Sequence, residues 1–161
     1  MRSLALACAL VLAGCAHPWN TVDIAPGTSR EQVIARAGQP VRVLPLAGGG
    51  QRLQYTLQPL GRYAFMVDLD AAGRVVSARQ VLTQASFERI EPGRWSRDDV
   101  EREFGPPAMV DHVASFQGDV LTYRWAERNE PMFYYVYVDP HGVVQRAHPG
   151  MDFINSPQDR D

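Results

Sequence analysis

Two stretches of this chain share one pattern of apolar and polar positions. Each opens on Pro-Gly, passes through a serine, and then sets apolar residues one turn apart. Val33 and Ala37 come after Ser29, and Val100 and Phe104 come after Ser96. That spacing lays an apolar stripe along one face of a short helix. The serines stand where an N-cap hydroxyl accepts from otherwise free first-turn amides. Gln32 completes a capping box in the first stretch, and Asp99 gives a shorter, weaker version in the second. Gly38 and Gly105 fall at the C′ position, and Pro40 and Pro107 keep the helix from resuming. A preceding short helix is predicted near Trp19 to Ile24 and near Gln84 to Ile90. Such short helices do not stand alone in water, so each needs a sheet to cover.

The segments after each helix are strand-like. The first stretch predicts strands at 41–46, 52–57, 63–69 and 74–81. The second predicts them at 109–116, 120–125, 132–138 and 143–147. The turns between them are tight and rich in Gly, Asp and Pro, which implies antiparallel hairpins. Within 133–137, alternation puts Tyr135 and Tyr137 on one face and Tyr134, Val136 and Val138 on the other.

The two stretches read as copies of one unit. Ser29 and Ser96 are 67 positions apart, and Val67-Asp68-Leu69-Asp70 with Gly73 answers Val136-Tyr137-Val138-Asp139 with Gly142. The expected class is α+β: two tandem units of a short helix, or helix-turn-helix, plus antiparallel β-hairpins, helices packed on one side of the sheet. The units are drawn at 26–82 and 83–154. Residues 15–25 read as a tether, and the polar residues 155–161 as a disordered tail.

Composition narrows the function classes. The chain has 161 residues, 45% of them hydrophobic and 21% charged, which is ordinary for a globular protein and unlike a disordered or collagen-like chain. A net charge of −2 argues against a nucleic-acid partner. All 16 basic residues are arginine, so there is no Schiff-base lysine and no P-loop lysine. The two cysteines, Cys8 and Cys15, lie near the start, which leaves the body without a disulfide, thiolate metal site or cysteine nucleophile.

The first fourteen residues carry a processing signal. Arg2 precedes an apolar run from Leu4 to Ala13. A spanning helix needs about 20 such residues, so the run reads as an export signal. It ends in Leu12-Ala13-Gly14-Cys15, which resembles the lipobox of bacterial lipoproteins. The resemblance implies cleavage before Cys15 and acylation of Cys15, and two or more acyl chains anchor stably. Ala16, rather than Asp, comes next to the cysteine, which by the enterobacterial sorting rule implies the outer membrane, facing the periplasm.

A lipobox, then Pro-Gly, Ser, a short helix, Gly-x-Pro, hairpins, an aromatic strand and Asp-x-x-Gly together resemble the SmpA/OmlA (BamE-like) family of outer-membrane lipoproteins. Ile90, Pro92-Gly93, Ser96, Val100, Phe104-Gly105-Pro106-Pro107 and Thr122-Tyr123 match the family pattern in order. The resemblance implies a non-catalytic lipoprotein that supports envelope integrity or outer-membrane protein assembly by binding envelope or barrel-assembly proteins. Two units, where the assembly factor has one, resemble instead the β-lactamase-inhibitor-protein arrangement, in which joined sheets present a concave face. That second resemblance implies a periplasmic enzyme inhibitor or ligand-sensing module.

Candidate chemistry is sparse. His17, His112, His141 and His148 lack the helical spacing of a zinc motif, and His141 and His148 flank a predicted strand. Asp68 and Asp70 border a hairpin turn, where aspartate caps backbone amides, and Asp139 repeats the turn position. Gly48-Gly49-Gly50 has no phosphate-loop sequel and no Gly-x-Ser-x-Gly elbow occurs. No catalytic residue, metal or cofactor is predicted. The feature that remains is aromatic density in the second unit. Both parities of Phe133–Tyr137 are aromatic, so one face of the sheet cannot bury them all. Tyr and Trp carry many binding hot spots, so the candidate protein-binding residues are Trp125, Tyr135 and Tyr137, with Arg124 (and Arg128) at the rim.

Overall fold

The structure is a computed structural model that describes residues 17–151. The export signal, Cys15 and the tail 155–161 lie outside the described residues.

The serine-capped segments form α1 (Arg30–Ala37) and α3 (Arg97–Phe104), with the shorter α2 (Gln84–Phe87) opening the second unit. Both capping boxes close. The Ser29 amide donates to Gln32 Oε1 at 3.0 Å, and the Ser96 amide to Asp99 Oδ2 at 2.8 Å. The second box is therefore as complete as the first, despite the shorter side chain. Both helices end at glycines with positive φ, Gly38 at 85° and Gly105 at 81°, as a C-terminal stop favours.

The strands form two separate antiparallel sheets. The first contains β1 (Arg42–Pro45), β2 (Gln51–Thr56), β3 (Ala64–Leu69) and β4 (Val75–Gln80) in that order. The second contains β5 (Met109–Asp111), β6 (Asp119–Glu127), β7 (Glu130–Val138) and β8 (Val144–Met151), again in order. The architecture is α+β, with each unit's α-helix covering one face of its own sheet.

The duplication extends to single hydrogen bonds. Tyr55 donates its hydroxyl to the Gly38 carbonyl at 3.0 Å, and Tyr123 donates to the Gly105 carbonyl at 2.9 Å. Asp70 Oδ1 accepts from Ala72 N and Arg74 N, while Asp139 Oδ1 accepts from His141 N and Val143 N. Isolated bridges tie each N-cap to the strand that ends its unit: Ser29 to Arg74 and Ser96 to Val143.

This plan creates two cores. Val33 and Ala37 of α1 pack with Leu53, Tyr55, Phe65, Val67, Leu69 and Val75 on one face of the first sheet. Its opposite face contributes Ala64 and Met66 to the second core. There they meet Phe87 of α2, Val100 and Phe104 of α3, and Leu121, Tyr123, Trp125, Tyr134 and Val136 of the second sheet. The layers therefore run α1, first sheet, α2 with α3, second sheet.

Four sequence expectations change. The two sheets are not joined into one concave surface, because the second unit's helices lie between them. The fold of the first unit begins before residue 26. Thr21 is 1% and Ile24 6% exposed, and the Trp19 ring lies 4.3 Å from Tyr63 and 5.2 Å from Phe65. Apolar burial holds 18–24 against the sheet, so this part of the expected 15–25 tether is docked as a 3-10 turn (Pro18–Thr21) and its continuation. The fifth strand stops at Asp111, and the eighth continues beyond Ala147 to Met151.

Candidate functional site

The second sheet has a face that no layer of the described chain covers. Alternation and the strand register place Met109, Asp111, Val120, Thr122, Arg124, Phe133, Tyr135, Tyr137, Arg146 and His148 on it. Its aromatic side chains lie against one another. Tyr137 meets Phe116 edge-on at 5.2 Å and stacks on His148 at 5.5 Å, and Arg146 sits 3.7 Å above the Tyr137 ring. Such a cation over an aromatic face is attractive. Tyr135 packs 5.9 Å from Phe133 and 5.5 Å from His148. It also reaches across β8 to Gly150, where an added Cβ would fall 2.5 Å from Tyr135 Cε2 and displace the ring. By packing edge to edge, these residues bury Phe133, Val120 and Thr122 while Tyr135 and Tyr137 stay half-exposed. The half-exposed pair are large amphipathic rings already fixed by their neighbours, which suits a binding surface at low entropic cost.

The four candidate binding residues separate here. Tyr135 and Tyr137 stand on the outer face as alternation requires. Arg124 joins them, its guanidinium 5.5 Å from the Phe133 ring centroid. Its backbone is held from the first unit: Gln58 Nε2 donates to Arg124 O at 2.8 Å, and Arg124 N donates to Gln58 Oε1 at 3.1 Å. Gln58 thus stands in for a neighbouring strand where β5 has ended. Trp125 has the opposite parity and must be removed from the binding set. It is 2% exposed, donates Nε1 to the Phe133 carbonyl at 3.1 Å and packs edge-on against Phe87. Arg146 and His148 belong to the face although neither is a candidate from sequence. Pro149-Gly150 reads as a strand ending, yet pairing with β7 continues through both.

The acidic residues fall into two roles. Asp70 and Asp139 cap turns as expected, and backbone donors hold the Asp139 carboxyl below the usual carboxylate range. Asp68 caps nothing. It takes a two-pronged contact from Arg52, at 2.6 and 2.9 Å, and a third bond from Arg79 at 3.1 Å. Both arginines also reach Glu103 on α3, so the pair of carboxylates bonds the units together. Among the described residues no group of three or more His, Cys, Asp or Glu is close enough to hold a metal ion. None of their helices is long and apolar enough to cross a membrane.

No protein-family model and no curated protein matches the sequence. Among solved structures, the chain aligns with a DUF4309 family protein (YjgB) from Bacillus subtilis at 12% identity and a TM-score of 0.33, covering 78% of this chain and 79% of that one. It also aligns with an extracellular SCP-domain protein from Bacillus anthracis at 15% identity and a TM-score of 0.29, spanning 78% of this chain but only 43% of that protein. At such scores neither similarity carries a function, and the functional reading rests on the chain's own face and sequence.

Proposed function

We propose that this chain is a non-catalytic lipoprotein, anchored through Cys15 to the outer membrane on its periplasmic side. It supports envelope integrity or outer-membrane protein assembly by docking envelope or barrel-assembly proteins, as its resemblance to the SmpA/OmlA (BamE-like) family implies. The observation that carries the docking role is the uncovered aromatic face of the second sheet, where Tyr135 and Tyr137 are half-exposed above a packed layer. A joined concave surface would favour the inhibitor reading; the separation of the two sheets removes that support.

The test is paired. Tyr135→Ala with Tyr137→Ala should reduce recovery of crosslinked barrel-assembly subunits from intact cells about tenfold or more, as loss of aromatic hot spots does. The melting temperature should move by only a few degrees, because neither ring belongs to a buried core. Equal loss of folding and capture would make these residues structural. Recovery of a soluble periplasmic enzyme instead would revive the inhibitor reading. Separately, Cys15→Ser should release the protein from sedimented membranes. Retention there would end the anchor assignment.

A further inference from the structure

The first sheet already shows what such a face can receive. Matching the registers puts Gln54 opposite Met66 in the first unit where Thr122 opposes Tyr135 in the second, and Arg52 opposite Asp68 where Val120 opposes Tyr137. By the same count Arg79 corresponds to His148, and Ser77 to Arg146. The first unit's version of this face is covered by the second unit, and the C-terminal end of α3 lies on it. Gln54 Nε2 donates to the carbonyls of Glu101 and Arg102 at 2.9 and 3.0 Å, and Arg52 donates to Arg102 O and Glu103 Oε2. Arg42 adds a bond to the Glu101 carboxylate. The sheet thereby satisfies the Arg102 carbonyl, which has no partner within the helix itself, adds a second donor to the Glu101 carbonyl, which already accepts from the Gly105 amide, and pairs arginines with the carboxylates of the last turns.

We propose that the outer face of the second sheet binds an α-helix of a partner protein, lying across it where α3 lies across the first sheet, with an acidic residue of that helix against Arg146. This rests on the docking role above and specifies its partner. Charge supports it: the face presents Arg124 and Arg146, and Asp111 at its β5 edge is the only carboxylate among its described strand positions. The aromatic replacements fit an apolar helix stripe where the first unit uses an ionic one.

A second copy of this chain is the poorer occupant. The helix equivalent to α3 is α1, whose last turn carries Arg36 where α3 has Glu103, and so would bring a further cation to a face that already presents Arg146. Its Arg36 carbonyl already accepts from Asn20 Nδ2 at 2.7 Å. An added strand along β8 is opposed by Pro149, which has no amide to donate.

The experiment places a photoreactive benzoylphenylalanine singly at 135, 137, 146 and 148 in the full lipidated protein in cells, and maps the partner residues labelled. Positions 146 and 148 are exposed, so their substitution leaves the core intact and keeps the test open if the tyrosine variants unfold. The expected result is labelling of one partner segment at three- and four-residue spacing, the period of a helix face. Arg146→Glu, combined with the probe at 148, should lower the yield about tenfold. Labelling at two-residue spacing, labelling of a second copy or of lipid, or a yield indifferent to Arg146→Glu overturns the helix proposal while leaving a docking face in place. No labelling from any of the four positions overturns the helix and the docking role together.

Discussion

Replacing Phe87 with alanine should remove about 3–5 kcal/mol of folding free energy, the range for a fully buried phenylalanine whose site cannot collapse. Phe87 is 0% exposed, although α2 is only four residues long. Local preference cannot explain that helix; the Thr83 hydroxyl caps it, and the ring anchors it. Phe87 lies parallel to Tyr134 at 4.0 Å, with Phe104 at 4.8 Å and the Trp125 edge at 5.7 Å. Each such pair adds about 0.5–1.5 kcal/mol beyond its buried area. Ala64 and Met66 of the first sheet enter the same core, so the cavity would loosen both units at once. The expected denaturation is a single transition whose midpoint falls without a change of slope, with a melting temperature lower on the order of 10 °C. Phe87→Leu should recover most of the loss. A cost below about 1 kcal/mol for alanine, against the usual range for core aromatics, would mean that the interior is not packed as described.

The local grammar of the chain is legible in its residues, and its long-range docking is not. Ser29, Ser96, Gly38 and Gly105 announce the helix ends because caps and left-handed stops depend on residues within one turn. Alternation places Tyr135 and Tyr137 because parity survives any tertiary arrangement. It does not place Trp125, since parity on β6 depends on where that strand begins, and the ring's burial depends on Phe87 arriving from another element. Asp68 escapes a sequence reading for a related reason. Its neighbours in sequence suggest a turn, whereas its partners, Arg52, Arg79 and the Arg-linked Glu103, come from three elements. The tether expectation fails because Thr21 and Ile24 find their apolar cover on a sheet formed later in the chain. Each unit thus writes its own helix and hairpins locally, while the use of the first sheet's second face depends on having a second copy of the unit beside it.

Glu103→Gln should cost about 3 kcal/mol near neutral pH, the lower end for breaking a buried ion pair by removing one partner. Glu103 and Asp68 are 13% and 15% exposed, and Arg52 is 9% exposed; Arg79 and Arg89 reach water, which softens the loss. The variant leaves Arg52 facing α3 with only Asp68 and the Arg102 carbonyl. Burial by itself would push both carboxyls upward, but the hydrogen bonds and charges of the arginines reverse it and hold both below the ordinary range: Arg52 and Arg79 for Asp68, Arg89, Arg79 and Arg52 for Glu103. A carboxyl depressed in the folded state stabilises fully above its unfolded value, about 4, and loses that contribution as pH falls through the folded value. Wild-type stability should therefore be flat at neutral pH and decline steeply below about pH 4. Glu103→Gln should start lower and decline less steeply, because one of the protons taken up in acid no longer has a site. Denaturant titrations at pH 7 and pH 3 measure this directly. If the variant loses as much stability between those pH values as the wild type, Glu103 is not part of the bond between the units, and the first sheet is held to α3 by its apolar contacts, by Gln54 and by the bonds of Arg42 and Arg52 to Glu101 and the Arg102 carbonyl.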